Sequence, residues 1–249
     1  MIRSLIDLTG YVIAAKDGEL GECKDFLLDD LSWAVRYMVA DTRKVLPGRK
    51  VVVSPDLLGD MDDETRRFSV LLSKEEVKAS PPLLEDEPVT PQYEVMWHDH
   101  FGLSYYWLKE EERGMTENPS VTAFDGREPP TGGVAPSEPK HLLSLQEVTN
   151  FHVELLDGEI GRFADLLADT HTWQCRYAIV DTGKWLPGRQ VCVLTDCITW
   201  VNPADEKLGV GLTKEAIRMS PEYHPYVPMN REYQVVLHDY YGWPKYWEK

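Results

Sequence analysis

The stretch DGELGECKDFLLDDLSWAVRYMVADTRKVLPGRKV, Asp17 to Val51, returns 140 positions later as DGEIGRFADLLADTHTWQCRYAIVDTGKWLPGRQV, Asp157 to Val191. Eighteen of the 35 aligned positions are identical without a gap, which marks a duplicated unit and not a recurring turn. The same offset carries LSKEEVKASP (Leu72 to Pro81) onto LTKEAIRMSP (Leu212 to Pro221). It also carries YEVMWHDHFGLSYYW (Tyr93 to Trp107) onto YQVVLHDYYGWPKYW (Tyr233 to Trp247). Ser4-Leu5 and Thr9 recur as Ser144-Leu145 and Thr149. The chain therefore reads as repeat one over 1–108 and repeat two over 141–249. Residues 109–140, with five prolines and four glycines, form the expected linker. Whether the two repeats pack together, as a pseudo-symmetric pair replacing a homodimer, is left open by the linker's length.

Within each copy the local signals are those of short strands. Asp17-Gly18 marks a hairpin joining 11–16 to 19–28, because glycine supplies the positive φ of a tight reversal. The run AVRYMVAD (34–41) alternates, with Val35, Tyr37 and Val39 on one face and Ala34, Arg36, Met38 and Ala40 on the other. That is the period of a strand. In LPGR (46–49), Pro47 sets φ and Gly48 permits φ > 0, so the segment turns the chain into a strand over 50–53. A further strand is expected near 67–72, and near 207–212 in the copy. Ser73 caps a helix over 74–79 with Glu76 in the capping-box position. Thr213 caps its counterpart, where Ala216 breaks the box, and Ser80-Pro81 and Ser220-Pro221 end both helices. These elements predict a mainly β protein made of two tandem small β-barrels. Each carries a short helix and an aromatic C-terminal tail lying outside the barrel or across one end.

Composition narrows the function classes. With 249 residues, 43% hydrophobic and 27% charged, the chain is a folded one. A formal charge of −16 argues against nucleic acid and anionic membrane surfaces, which need clustered Lys and Arg. No stretch approaches the roughly 20 apolar residues of a membrane span, and Asp7 interrupts any leader-like run. Cys23, Cys175, Cys192 and Cys197 contain no C-x-x-C pair and do not match between repeats. They read as reduced, buried thiols of a cytoplasmic protein.

The pattern D-G-x-[LI]-G-x-x-x-D-x-L-x-D followed by [VC]-R-Y-x-[VI]-[AV]-D-T resembles the PRC-barrel family. That β-barrel is found in the cytoplasmic part of the photosynthetic reaction-centre H subunit and in the C-terminal domain of a ribosome maturation factor. The resemblance covers Ser4 to about Pro81 and Ser144 to about Pro221. LSKEEVKASP and HDYYGWPKYW are similar to the tail of stand-alone bacterial members. The resemblance implies a bacterial-type module that docks onto other proteins without catalysis, with no cofactor and no catalytic residues to carry over. An H subunit would carry a membrane helix before its barrel and the maturation factor an N-terminal RNA-associated domain, and neither is expected here.

The residues offer few chemical constellations. His98-Asp99 recurs as His238-Asp239, and histidine beside a carboxylate can orient a base or bind a metal. On an extended segment His98 and His100 would share a face as two metal ligands, although Tyr240 replaces His100 in the copy. The alternative role for all three histidines is as polar tethers. Arg36 and Arg176 read as partners of the repeated aspartates Asp25/Asp165, Asp29/Asp169 and Asp41/Asp181, fixing strand register. Gly18 and Gly21 give a G-x-x-G without the lysine of a phosphate loop. Trp33 and Trp173 read as core. Tyr105, Tyr106 and Trp107, then Tyr240, Tyr241, Trp243, Tyr246 and Trp247, are of the types that dominate interface hot spots. They either cover their own barrel or dock a protein partner. The expected function is a non-catalytic adaptor, bivalent or self-associating through its barrels. The alternative is a small-molecule or metal-binding regulator using the His-Asp pairs and carboxylates.

Overall fold

The computed structural model describes residues 1–43, 46–107 and 142–248; the expected linker, 109–140, lies outside the described residues. In repeat one the strands are β1 (Ile2–Ser4), β2 (Val12–Ala15), β3 (Gly18–Leu28), β4 (Val35–Asp41), β5 (Val51–Val53), β6 (Leu58–Asp62) and β7 (Arg67–Val70). Repeat two has β8 (Leu143–Ser144), β9 (His152–Leu155), β10 (Gly158–Asp169), β11 (Gln174–Asp181), β12 (Gln190–Leu194), β13 (Ile198–Asn202) and β14 (Lys207–Val210). They form two seven-stranded sheets of matching order, β5-β4-β3-β2-β7-β6 and β12-β11-β10-β9-β14-β13. Both are mixed, because β2–β7 and β9–β14 are parallel whereas the other pairs are antiparallel. The strands at the two ends of each sheet follow one another in the chain, joined through the single-turn segments Pro55–Leu57 and Thr195–Cys197. The protein is mainly β.

Several elements follow directly from their residues. The Asp17-Gly18 reversal joins β2 to β3. Gly21 is needed for a different reason: a Cβ there would lie 2.0 Å from the Asp41 carbonyl oxygen, and at Gly161 it would lie 1.9 Å from that of Asp181. The G-x-x-G is thus a close backbone crossing, not a phosphate loop. On β4, Tyr37 and Val39 pack with Trp97 in one cluster, while Met38 and Ala40 join the larger core. Val35 departs from the expected alternation and joins that larger core, because the β3–β4 register shifts between Leu27–Tyr37 and Leu28–Val35.

The short helices Lys74–Ala79 and Lys214–Met219 are capped as their sequences predict, by the Ser73–Glu76 box and by Thr213 alone. Their other ends reveal the use of the repeated turn. Arg49 donates to the carbonyls of Lys78 (3.0 Å) and Ser80 (2.9 Å), and Arg189 to those of Arg218 (3.0 Å) and Ser220 (2.7 Å). A guanidinium on otherwise orphaned C-terminal carbonyls satisfies them and suits the negative end of the helix.

The segment after 90 corrects the extended reading. Pro91–Phe101 and Arg231–Tyr241 are α-helices, and Thr90 and Asn230 accept from the Tyr93 and Tyr233 N–H groups as N-caps. Gly102 (φ 64°) and Gly242 (φ 69°) close them in the left-handed conformation. The buried face carries Tyr93, Glu94, Trp97 and His98. It follows helical spacing, but its two polar members conceal the apolar period.

The repeats share one core, and each completes the other's sheet. β1 pairs with β10, and β8 with β3. Each exchanged strand leads into a one-turn helix, Leu5–Leu8 or Leu145–Val148, whose Leu5 and Leu145 are buried in the common cluster. Between the sheets, Ala34 bridges Gln174, its own counterpart in the repeat. Val35 N–H donates to the Trp173 carbonyl (2.8 Å), and Cys175 N–H to that of Trp33 (3.0 Å). Equivalent residues facing each other place a local two-fold axis at this pair, the signature of an isologous interface. All four cysteines are buried and free. Among the described residues, no helix is long and apolar enough to cross a membrane.

Candidate functional site

The histidine candidates come apart in the helices. His98 is buried, whereas His100, two residues on, is exposed; two positions on a helix span about 200°, so the two do not share a face. His98 Nε2 lies 2.9 Å from the Tyr37 hydroxyl and Nδ1 lies 3.0 Å from the Ser104 carbonyl. The carbonyl can only accept, so Nδ1 carries the proton and Nε2 accepts from the tyrosine. His238 repeats the arrangement with Tyr177 (3.2 Å) and Pro244 (2.9 Å). Burial pushes both imidazoles below the usual histidine range, with backbone hydrogen bonds opposing. Both ring nitrogens of each are engaged, and these residues pin the helix to β4 or β11 and to the segment that follows it. Asp99, beside His98, instead accepts from the Tyr105 hydroxyl.

The aromatic tail folds back over this histidine. The ring centroids of Tyr105, Tyr106 and Trp107 lie 6.0, 6.0 and 5.3 Å from that of His98. Tyr106 also holds the arginine of β4: the Arg36 guanidinium lies 3.9 Å over its ring and donates to Asp29 at 3.2 Å. Its hydroxyl donates to Glu94 at 2.7 Å, and burial raises the pKa of that carboxyl. In repeat two Gln234 replaces Glu94 and accepts from Tyr246 (2.9 Å) and Arg231 (3.1 Å), while Arg176 lies 4.1 Å over the Tyr246 ring. Asp169 accepts from the Met1 amine at 3.1 Å. The repeated aspartates therefore take separate partners. Among the described residues, no His/Cys/Asp/Glu group is placed to hold a metal ion.

Of the eight tail aromatics, Tyr105, Tyr106, Trp107, Tyr241, Tyr246 and Trp247 are half-buried against their own repeat. Tyr241, for example, donates to the Cys192 carbonyl at 3.1 Å. Tyr240 and Trp243 are the exposed members, at 39% and 38%. Two further exposed aromatics escaped the sequence reading, Trp200 at 43% and Tyr226 at 98%. All four belong to repeat two. Their counterparts in repeat one are His100, Leu103, Asp60 and Asp86. Comparing the two copies position by position was the signal that could have found Trp200 and Tyr226, because each replaces an aspartate.

The chain matches no family model, and no curated protein resembles it.

Proposed function

We propose that this chain is a tandem PRC-barrel protein acting as a non-catalytic adaptor in the cytoplasm, with repeat two as its docking side. The observation that carries the reading is the one-sided distribution of exposed aromatics. Trp200, Tyr226, Tyr240 and Trp243 lie on repeat two, where repeat one has Asp60, Asp86, His100 and Leu103. Exposed Trp and Tyr are the residue types that most often carry interface energy, and each joins an apolar body to a polar handle. The two repeats are buried against each other, which favours a single fused unit over two independent docking modules on a tether.

The test is affinity capture from native lysate, read by cross-linking and mass spectrometry, with the whole chain and two surface variants. Trp200→Asp/Tyr226→Asp gives repeat two the residues of repeat one. Leu84→Asp changes an exposed apolar residue of repeat one instead. A partner lost with the first variant, retained with the second, and cross-linked to repeat two is the expected result. A partner held equally by all three chains would contradict it.

A further inference from the structure

An open cleft of about 730 Å³ lies at one end of repeat two. It sits where the turn before β9, the first half of β10 and the turn after β11 meet. Its lining includes Arg162, Lys184, His152 and Trp185, together with Glu159 and Asp181. The formal charges balance, but their commitments do not. Glu159 is taken up by His152 Nδ1 at 2.6 Å, and Asp181 accepts from the Gly183 N–H at 2.8 Å. Arg162 gives one Nη1 contact to the Asn150 carbonyl at 3.0 Å. Among the described residues, no carboxylate lies within ion-pair distance of either Arg162 or Lys184. Two cations without carboxylate partners among the described residues make this concavity formally neutral on a protein whose formal charge is −16, so an anion meets less repulsion here than the chain's overall charge implies.

Repeat one does not carry the same set. Glu22 stands where repeat two has Arg162, and Val12 where it has His152. Arg43, the counterpart of Gly183, is spent on Asp41, donating from Nε at 2.9 Å. Residues 44 and 45, the counterparts of Lys184 and Trp185, lie outside the described residues. The fold accepts glutamate at position 22, so it does not require the arginine at 162. Trp185 is half-buried, packed on the core along part of its surface.

We propose that this cleft binds a small dianion attached to a flat ring. Arg162 and Lys184 hold the charged group, and the ring lies against Trp185. A guanidinium pairs with planar carboxylate or tetrahedral phosphate oxygens through two parallel N–H bonds, and an ammonium adds a point charge. A phosphate monoester and a dicarboxylate share this chemistry, and the choice of probes separates them.

The experiment is a titration of the full chain, followed through the indole N–H resonance of Trp185. That resonance is assigned by its disappearance in Trp185→Phe. The probes are phenyl phosphate, inorganic phosphate and phthalate. Phenyl phosphate or phthalate should move the resonance saturably below about 10 mM, the stronger of the two identifying the anion class, and inorganic phosphate should bind about tenfold more weakly. Arg162→Glu and Lys184→Gln should each weaken binding by about tenfold or more. Both positions are exposed and the first takes the residue of repeat one, so folding is checked by an unchanged Tm. The proposal is overturned if neither ring-bearing probe gives a saturable shift at Trp185, or if both charge variants bind as the parent chain does.

Discussion

At the seam the two repeats use the same device twice. Ser4 donates to Asp165, and Ser144 donates to Asp25. Each carboxylate also accepts a backbone N–H from the incoming one-turn helix, Ile6 for Asp165 and Gln146 for Asp25. Trp33 stacks on Phe163 and Trp173 on Phe26, with centroids 6.4 and 6.0 Å apart; the tryptophans are counterparts, whereas their partners are not, since Cys23 answers Phe163 and Leu166 answers Phe26. On the outer side the copies share much less. Aspartates at 60 and 86 become Trp200 and Tyr226, and Glu22 becomes Arg162. The serine, aspartate and tryptophan that both halves of the seam need are the same in each copy, whereas these outward-facing residues are not. Duplication here preserved the assembly and left one surface free to diverge.

The seam tryptophans offer the largest break in that comparison. Trp33 and Trp173 are buried at 4% and 8% and hold positive φ angles of 56° and 53°. Such a backbone is costly for a bulky residue unless its surroundings enforce it. Trp33→Ala and Trp173→Ala should each destabilise the whole chain by about 3–5 kcal/mol. Denaturant unfolding of each variant should remain a single transition, because the core is shared. A transition confined to one half would show that the halves are energetically separate.

Arg49→Ala and Arg189→Ala should cost about 1.5–3 kcal/mol each, through lost charge-assisted bonds to helix carbonyls. Because the two sites match, the costs should agree within about 0.5 kcal/mol, a comparison that thermal or urea unfolding can make. Ser4→Ala and Ser144→Ala should be milder, about 1–2 kcal/mol, since each carboxylate keeps its backbone donors.

Burial raises the pKa of both seam carboxylates, Asp25 and Asp165. Burial is the chief cause that raises Asp165 from 3.8 to about 6, against hydrogen bonds from Ser4, Ile6 and Leu166 that lower it. A carboxyl raised on folding favours the protonated folded state. Its stabilising contribution is complete below 3.8 and is lost as pH rises through about 6. His98 and His238 act in the opposite sense. Their depressed pKa values mean that the unfolded chain takes up protons first, so stability falls as pH drops below 6.5. The parent chain therefore sums opposing slopes between pH 7 and 5, and a variant is needed to isolate one. Relative to the parent, Asp165→Asn should lose Tm progressively as pH falls through this window. Parallel curves would mean that Asp165 does not titrate there. The smallest effect belongs to the outer face: Trp200→Asp should change stability by no more than about 0.5 kcal/mol.

Much of this was legible in the residues. Turn chemistry and alternation located the long hairpin, β4 and the short capped helices, because those signals are local. The Pro91–Phe101 helix was missed although Thr90-Pro91 and Gly102 mark its ends. Glu94 and His98 sit on its buried face, and a polar residue there looks like an exposed one until its partner is known. The seam was out of reach for a related reason. Ser4 and Asp165 are 161 positions apart, and nothing in either residue says which carboxylate a serine will find. The recurrence of Ser4-Leu5 as Ser144-Leu145 was visible, but its meaning depends on the packing of the two copies. In sequence Arg49 reads as part of a turn, whereas its side chain works on a helix end about 30 residues away.

The most direct test of the shared seam is to sever the chain between the repeats. A specific protease site placed within 109–140, cleaved under native conditions and followed by size-exclusion chromatography, asks whether the halves remain together. The exchanged strands and common core predict that they co-elute as one particle and part only under denaturing conditions. Two folded halves eluting separately after native cleavage would contradict the account.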